Sequence, residues 1–221
     1  MLPVVIEMES RWRVGTGGPR PGAVDDETWA DADGQVLVPA SHLKRRLRER
    51  AEELVDLLGG RRCDGRLAAA RQEPEVGPLD VGRVFGSPRV EPEWRFGPAI
   101  MDLPARTDDE LRVLREAARR PIAHNAVDPW SRRVGEDLLF TLEAGRAGTR
   151  LRAGIVRWDD GGDGIEAEVA LLVGTVGALE SLGPRRRRGY GRCRAWLDGA
   201  VGGRDHDTWV DLLVARPELL R

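Results

Sequence analysis

The hydrophobic positions change period along the chain, and each change indicates a new element. Residues 3–8 (PVVIEM) are apolar and β-branched, which predicts a first strand. Leucines recur at helical spacing between residues 43 and 58, which predicts a long helix. Ser41 is the predicted N-cap of this helix, and the Gly59-Gly60 pair is predicted to end it.

The rest of the pattern completes a mixed fold. Residues 105–121 predict a short helix, and 165–182 predict a second amphipathic helix. Short extended pieces are expected within 82–103, and residues 136–160 predict two strands joined by the turn AGRAG. With a last strand in 189–199, the order predicts an α+β fold with a ferredoxin-like, RRM-like βαββαβ sheet. Helices cover one face of such a sheet, and the open face commonly contacts RNA.

Composition narrows the class of protein without deciding its function. The chain has 221 residues, 41% of them hydrophobic and 33% charged, and its formal net charge is −2. No apolar run approaches the roughly 20 residues that span a bilayer, so we expect a cytoplasmic protein with no membrane contact. Cys63 and Cys193 lie far apart and outside any CxxC spacing, which argues against a zinc site or a disulfide framework.

Three local features point towards nucleic acid. The helix that begins near Ser41 offers unpaired N–H groups to a phosphate, and basic residues follow it. The run GPRRRRGYG (183–191) combines four adjacent arginines with flexible glycines and Tyr190, which could stack on a base or fill the core. The loop DDETWADAD (25–33) is strongly acidic, and a carboxylate there could bind a divalent metal or act on a ribose 2′-hydroxyl.

Each feature also has an ordinary explanation. The basic helix face could be solvated and balanced by Glu49, Glu52 and Glu53, and the arginine run could be an exposed loop. The acidic loop could be a solvent-exposed segment that repels RNA. His42 lies in the predicted phosphate-binding turn, whereas the positions of the other two histidines are typical of surface or turn residues.

The order of several motifs resembles the RAMP superfamily of CRISPR systems, and within it the repeated backbone subunit of type III effector complexes. Gly22-Ala23-Val24-Asp25, followed by Asp31 and by residues 38–44 (VPASHLK), is similar to the family's glycine-rich loop, paired aspartates and helix start. GRVFGS (82–87), residues 124–145 and the glycine-rich segment LGPRRRRGYGRCRAWL match further family segments in order. The resemblance covers nearly the whole chain.

This resemblance implies a single RAMP domain over residues 1–221, a palm with an inserted thumb at about 104–134. It also implies a subunit that binds guide crRNA, assembles with further copies of itself and other effector subunits, and cleaves complementary target RNA at regular intervals. Asp25 matches the family's catalytic aspartate, and Asp26 beside it is a second candidate. The resemblance also implies a divalent metal ion as cofactor, and we expect this ion to be Mg²⁺. The predicted RNA-binding residues are Ser41, His42, Lys44, Arg45, Arg48, Arg132, Arg133, Arg185, Arg186, Arg187, Arg188 and Tyr190.

Departures from the family pattern keep two alternatives open. Ala40, His42 and Arg45 replace two glycines and a serine of the family's helix start, and the acidic loop is about one residue shorter. The chain could therefore be a structural crRNA-binding subunit that does not cut. It could also be a guide-processing endoribonuclease of the same superfamily that relies on histidine.

Overall fold

Strands, singly or in runs of two or three, are separated by helices along the chain. The computed structural model describes residues 1–19, 22–59, 79–87, 91–105, 107–127, 130, 134–158, 165–184 and 188–220. The strands are β1 (Leu2–Met8), β2 (Leu37–Val38), β3 (Trp94–Phe96), β4 (Ala99–Met101), β5 (Arg120–Val127), β6 (Val134–Ala144), β7 (Arg150–Arg157) and β8 (Cys193–Leu197). The helices are α1 (Ala40–Leu57), α2 (Leu79–Phe85), α3 (Asp108–Ala118), α4 (Ile165–Gly177) and α5 (His206–Ala215), and a 3₁₀ turn follows at Pro217–Leu220.

The main sheet has the strand order β2-β4-β7-β1-β8, with β3 also paired to β7. All of these pairings are antiparallel, and Val4 of β1 faces Ala153 on one side and Leu197 on the other. Strand β1, the β3–β4 segment, β7 and β8 correspond to the four strands of a βαββαβ unit, and α1 and α4 are its two helices. The predicted α+β, ferredoxin-like core is therefore confirmed.

Helix α1 is the element that the hydrophobic pattern predicted best. Leu43, Leu47, Ala51 and Val55 recur every four residues and are fully buried. The helix begins at Ala40, because the carbonyl of Pro39 already accepts hydrogen bonds from the next turn at 3.0 Å. The prediction of Ser41 as N-cap is wrong, since the cap residue is Pro39, with no side-chain hydrogen bond, and Ser41 lies inside the first turn.

Helix α4 is buried on nearly all sides, so the prediction of an amphipathic helix was wrong. It ends at Gly177, and every residue from 167 to 173 is buried. Helix α5, which the pattern analysis missed, packs against α4 and excludes water from its second face. The approach is close at Gly174, where an added Cβ would lie 2.6 Å from Leu213 of α5 and 3.0 Å from Leu54 of α1.

Two predicted strand arrangements differ from the structure. Residues 79–85 form helix α2, so the expected extended piece at 82–90 is wrong over its first four residues. Strand β6 does not pair with β7 as a hairpin; it pairs with β5 in a separate two-stranded sheet. The turn between β6 and β7 thus connects two sheets, because Gly145 at the end of β6 pairs with Trp12 instead of with β7.

The segment between β4 and β7 is an insertion into the core fold. It contains α3, which confirms the helix predicted in 105–121, and the β5–β6 hairpin. Thr107 caps α3 by accepting a hydrogen bond from the N–H of Glu110 at 3.2 Å. No residue of α3 is buried. The mapping of a thumb to residues 104–134 stays a prediction.

Candidate nucleic-acid interface

Residues 11–16, which follow β1, contact three parts of the chain: the acidic loop (25–33), the β5–β6 hairpin and the glycine-rich loop (183–191). The Arg11 carbonyl accepts a hydrogen bond from Gly191 at 2.7 Å, and Trp12 exchanges backbone hydrogen bonds with Gly145. Trp29 of the acidic loop donates its N–H to Val14 at 2.9 Å. The acidic loop, the hairpin of the insertion and the glycine-rich loop therefore all contact one short segment, residues 11–16.

Most carboxylates of the acidic loop already have partners. Asp26 forms an ion pair of 2.5 Å with Arg13, whose side chain is only 2% exposed. Glu27 lies 3.3 Å from Arg119, and Asp31 accepts a hydrogen bond from the N–H of Gln35 in a local turn. These contacts relieve the repulsion that a cluster of acids would otherwise suffer, so much of the loop's charge serves the fold.

Asp25 is exposed, and its carboxylate is held by a backbone N–H of the hairpin. Its N–H donates to the carbonyl of Thr141 at 2.9 Å, and its Oδ2 accepts from the N–H of Thr141 at 2.6 Å. The next residue, Asp26, bridges in parallel to Leu142, so the acidic loop runs along the edge of β6. The hairpin thus fixes the Asp25 carboxylate while leaving it accessible to solvent.

Three of the basic residues of α1, Lys44, Arg45 and Arg48, differ in what their side chains contact. Lys44 lies over the ring of Phe96, 5.6 Å from its centroid, and burial together with the charge of Arg48 lowers the pKa of Lys44. Arg48 donates to Glu52 and to the carbonyl of Gly86, which ties α1 to the end of α2. Arg45 pairs with Glu49 and its side chain is 79% exposed.

At the start of α1, Ser41 faces solvent and His42 faces the glycine-rich loop. Ser41 is exposed beside the first unpaired N–H groups of the helix. His42 Nε2 accepts a hydrogen bond from the N–H of Gly183 at 3.1 Å, and buried Arg46 donates to the carbonyl of Ser181. The start of α1 therefore contacts the chain at Ser181 and Gly183, immediately before the arginine run.

The far end of the glycine-rich loop reaches the hairpin. The Tyr190 hydroxyl lies 3.3 Å from Nε2 of His124 in β5, and His124 stacks on Phe140 of β6. Gly189 and Gly191 flank the tyrosine at φ of 76° and 80°. A side chain at Gly191 would overlap the carbonyl oxygen of Leu182, so only glycine fits there.

Some predicted residues lie outside the described part of the chain. Arg188 is exposed at the end of the arginine run. The remaining predicted arginines fall outside the described residues: Arg132, Arg133, Arg185, Arg186 and Arg187. Cys63 is also outside them, whereas Cys193 is buried, and burial raises the pKa of its thiol to about 12.

Sequence reasoning missed two residues that this arrangement uses. The sequence predicts His124 to be an ordinary surface or turn residue, but it joins the hairpin to the glycine-rich loop. Nothing in the sequence pattern singles out Arg13, which holds Asp26. The alternation of Trp12 and Val14, both buried, around Arg13 gave no hint that the arginine is buried as well. Only the position of these residues in three dimensions identifies them.

Comparison with known proteins places the chain in a family. The family model of the RAMP superfamily matches residues 5–194. The chain belongs to the RAMP superfamily. The match ends within β8, so helix α5, which closes over α4, lies beyond the matched part of this RAMP chain. Comparison with the curated proteins found no match.

Two solved structures are similar to this RAMP chain in fold. One is described as the apo state of a type III-B Cmr-beta complex, and the other as type III-B Cmr-beta bound to cognate target RNA. Each match has a TM-score of 0.62, 11% sequence identity, and coverage of 89% of this chain and 96% of the other. At 11% sequence identity, these matches show a shared fold and nothing further.

Two general properties of the described residues bear on the site. They contain no group of three or more His, Cys, Asp or Glu side chains placed to hold a metal ion. None of the helices among them is both long enough and apolar enough to cross a membrane.

Proposed function

We propose that this RAMP chain is a subunit of a type III CRISPR effector that binds guide crRNA and cleaves complementary target RNA with Asp25. One observation carries the proposal: a single loop contacts the α1 start at Gly183 and the hairpin at Tyr190, and that hairpin holds Asp25. A nucleic-acid strand that follows this loop would have exposed basic groups at one end and an exposed carboxylate at the other.

The basic end suits the guide backbone. Ser41 is exposed in the first turn of α1, where unpaired N–H groups and the helix dipole attract phosphate, and Arg45 is exposed in the second turn. Arg188 adds an exposed charge from the neighbouring loop. His42, Lys44 and Arg48 are engaged in contacts with the chain itself, so we assign them the task of shaping the α1 start and its surroundings instead of gripping RNA alone.

The acidic end suits attack by a ribose 2′-hydroxyl. Of the two adjacent aspartates, Asp25 is exposed, whereas Asp26 is consumed by the ion pair with Arg13. A carboxylate held by a backbone N–H keeps a defined position, and it can accept the 2′-hydroxyl proton as the oxygen attacks the adjacent phosphorus. The reaction gives a cyclic phosphate and a 5′-hydroxyl.

A divalent cation fits this site only if the protein and the RNA both supply ligands to it. Because no three-residue cluster occurs in the described part of the chain, the cation would be held by Asp25, phosphate oxygens and water, which is how Mg²⁺ commonly binds. When bound, it would neutralise charge that develops on the phosphate. The chain's own contribution is the fixed carboxylate.

A cleavage assay with matched aspartate variants tests the proposal. Asp33 is an exposed carboxylate in the same loop, so Asp33→Ala removes the same charge as Asp25→Ala. In purified ribonucleoprotein complexes that contain the chain, we expect Asp25→Ala to slow target-RNA cleavage by about 10²–10⁴-fold, and Asp33→Ala to change it little. Both complexes should carry guide RNA of uniform length.

The other outcomes identify the alternatives. A parent complex that holds guide RNA in Mg²⁺ but does not cut the target would show a structural crRNA-binding subunit. An isolated chain that cuts repeat RNA, with activity lost in His42→Ala, would show a guide-processing enzyme. Equal cleavage by Asp25→Ala and the parent complex would refute the assignment of Asp25.

A further inference from the structure

Tyr190 and His124 form a polar pair at the point where the glycine-rich loop meets the hairpin. The phenol oxygen lies 3.3 Å from Nε2 of the imidazole, within reach of a hydrogen bond, and the rings are tilted at 49° with centroids 6.2 Å apart. Stacking on Phe140, with centroids 5.5 Å apart and an interplanar angle of 18°, orients the imidazole. Both members of the pair are only half-buried.

This pair lies in register with Asp25. The Asp25 carboxylate binds the N–H of Thr141, and the residue before Thr141 in β6 is Phe140, which is paired with His124 across the hairpin. Neighbouring strands lie about 4.8 Å apart, so the backbones of Asp25 and β5 are separated by about 10 Å across β6. Side chains that extend from both sides can therefore reach one phosphodiester.

The backbone of the loop is fixed at Gly191, after Tyr190, and is open to solvent at Gly189, before it. Gly191 is locked against Leu182, and its N–H is bonded to Arg11, which fixes the backbone after the tyrosine. An added Cβ at Gly189 would meet no atom within 4 Å, so the approach before the tyrosine is open. A side chain that merely fills the core would not need an open approach.

We propose that Tyr190 is a second catalytic residue, which donates a proton to the leaving 5′-oxygen, and that His124 is a positioning residue that replaces this proton. The inference rests on the proposed function, because it completes the same reaction. General acid–base cleavage needs a group that removes the 2′-hydroxyl proton and another that protonates the leaving oxygen. Asp25 supplies the first, and the Tyr190–His124 pair adjoins Asp25 through the pairing of His124 with Phe140, the residue before Thr141.

The protons and electrons balance without any further reactant. Asp25 takes the 2′-hydroxyl proton, the 2′-oxygen forms a bond to phosphorus, and the bond from phosphorus to the 5′-oxygen breaks with its electron pair on that oxygen. The Tyr190 hydroxyl gives its proton to the 5′-oxygen and receives one from the protonated His124 imidazole. An imidazole titrates near neutral pH, so it can supply a proton that a phenol alone releases poorly.

A substrate with a better leaving group tests the pair. In target RNA with a bridging sulfur in place of the 5′-oxygen at the cleavage position, the thiolate leaves without protonation. With ordinary RNA, we expect Tyr190→Phe and His124→Gln complexes to cleave about 10²–10⁴-fold more slowly than the parent, and with the sulfur substrate to cleave within about tenfold of it. Tyr190→Phe keeps the ring, and guide-RNA content and thermal unfolding show that each variant complex is assembled.

The controls separate this inference from the function on which it rests. Asp25→Ala should be slow on both substrates, because its task is not protonation of the leaving group. Variants of the pair that are slow on both substrates, or that cut ordinary RNA as fast as the parent, overturn the inference while Asp25 keeps its role. A parent complex that cuts neither substrate, or an Asp25→Ala complex that cuts like the parent, overturns the proposed function and this inference with it.

Discussion

The ferredoxin-like core and the insertion between β4 and β7 bury very different amounts of apolar surface. In the core, β1 is buried at most of its positions, β7 alternates buried and outward residues, and α4 is buried along most of its length. In the insertion, α3 buries no residue, and the hairpin is attached to the core through backbone pairing at Gly145 and through the acidic loop. Hydrophobic burial stabilises the first region. In the second, the end of β6 buries Leu142 and Ala144, and polar contacts hold Asp25 and His124.

The candidate site lies at the seam between these two regions. Asp25 belongs to a loop of the core but is fixed by β6, and Tyr190 belongs to the core but contacts β5. A site at such a seam can be rigid in its core half and adjustable in its inserted half. The comparison also predicts that mutations of similar size will have different effects in the two regions.

The largest expected difference is in the cost of removing a leucine side chain. Leu171 of α4 is fully buried, whereas Leu114 of α3 is only half-buried. We expect Leu171→Ala to lower the free energy of unfolding by about 2–5 kcal/mol and Leu114→Ala by less than about 1 kcal/mol. Chemical denaturation of the two variants measures this, and equal losses would contradict the division between core and insertion.

A smaller difference is expected between the two adjacent aspartates. Asp26→Ala leaves the buried Arg13 guanidinium without its ion-pair partner, so we expect the free energy of unfolding to fall by about 3 kcal/mol. Asp25→Ala loses a hydrogen bond from a backbone N–H at an exposed position, which costs about 1 kcal/mol. Denaturation curves for both variants test the order, and a larger loss for Asp25→Ala would show that Asp26 is not the structural member.

The smallest difference concerns the glycines on either side of Tyr190. Both have a positive φ, so alanine is strained at each, by about 1 kcal/mol. Only Gly191 is also in contact with backbone, so Gly191→Ala should destabilise the protein by about 1–3 kcal/mol more than Gly189→Ala. Thermal unfolding of the pair checks this, and indistinguishable curves would mean that the loop can move away from Leu182.

The sequence predicted the elements whose stability depends on local pattern. The four-residue repeat of apolar residues in α1 predicts which face of the helix is buried, and the β-branched run of β1 predicts a buried strand. Helix α5 has comparable local features: Asp205 accepts a hydrogen bond from the N–H of Thr208 at 2.9 Å, and the buried residues Trp209 and Leu213 lie four residues apart. Family resemblance, and not periodicity, identified Asp25 as a candidate.

The tertiary structure decided which members of each charged cluster are available. Asp25 reaches solvent while Asp26 meets Arg13, although the sequence shows only two neighbouring acids. The contact between His124 and Tyr190 joins positions 66 residues apart. Such pairings depend on how the sheets and loops pack, and a local pattern of hydrophobic and polar residues carries no information about partners so distant in the chain.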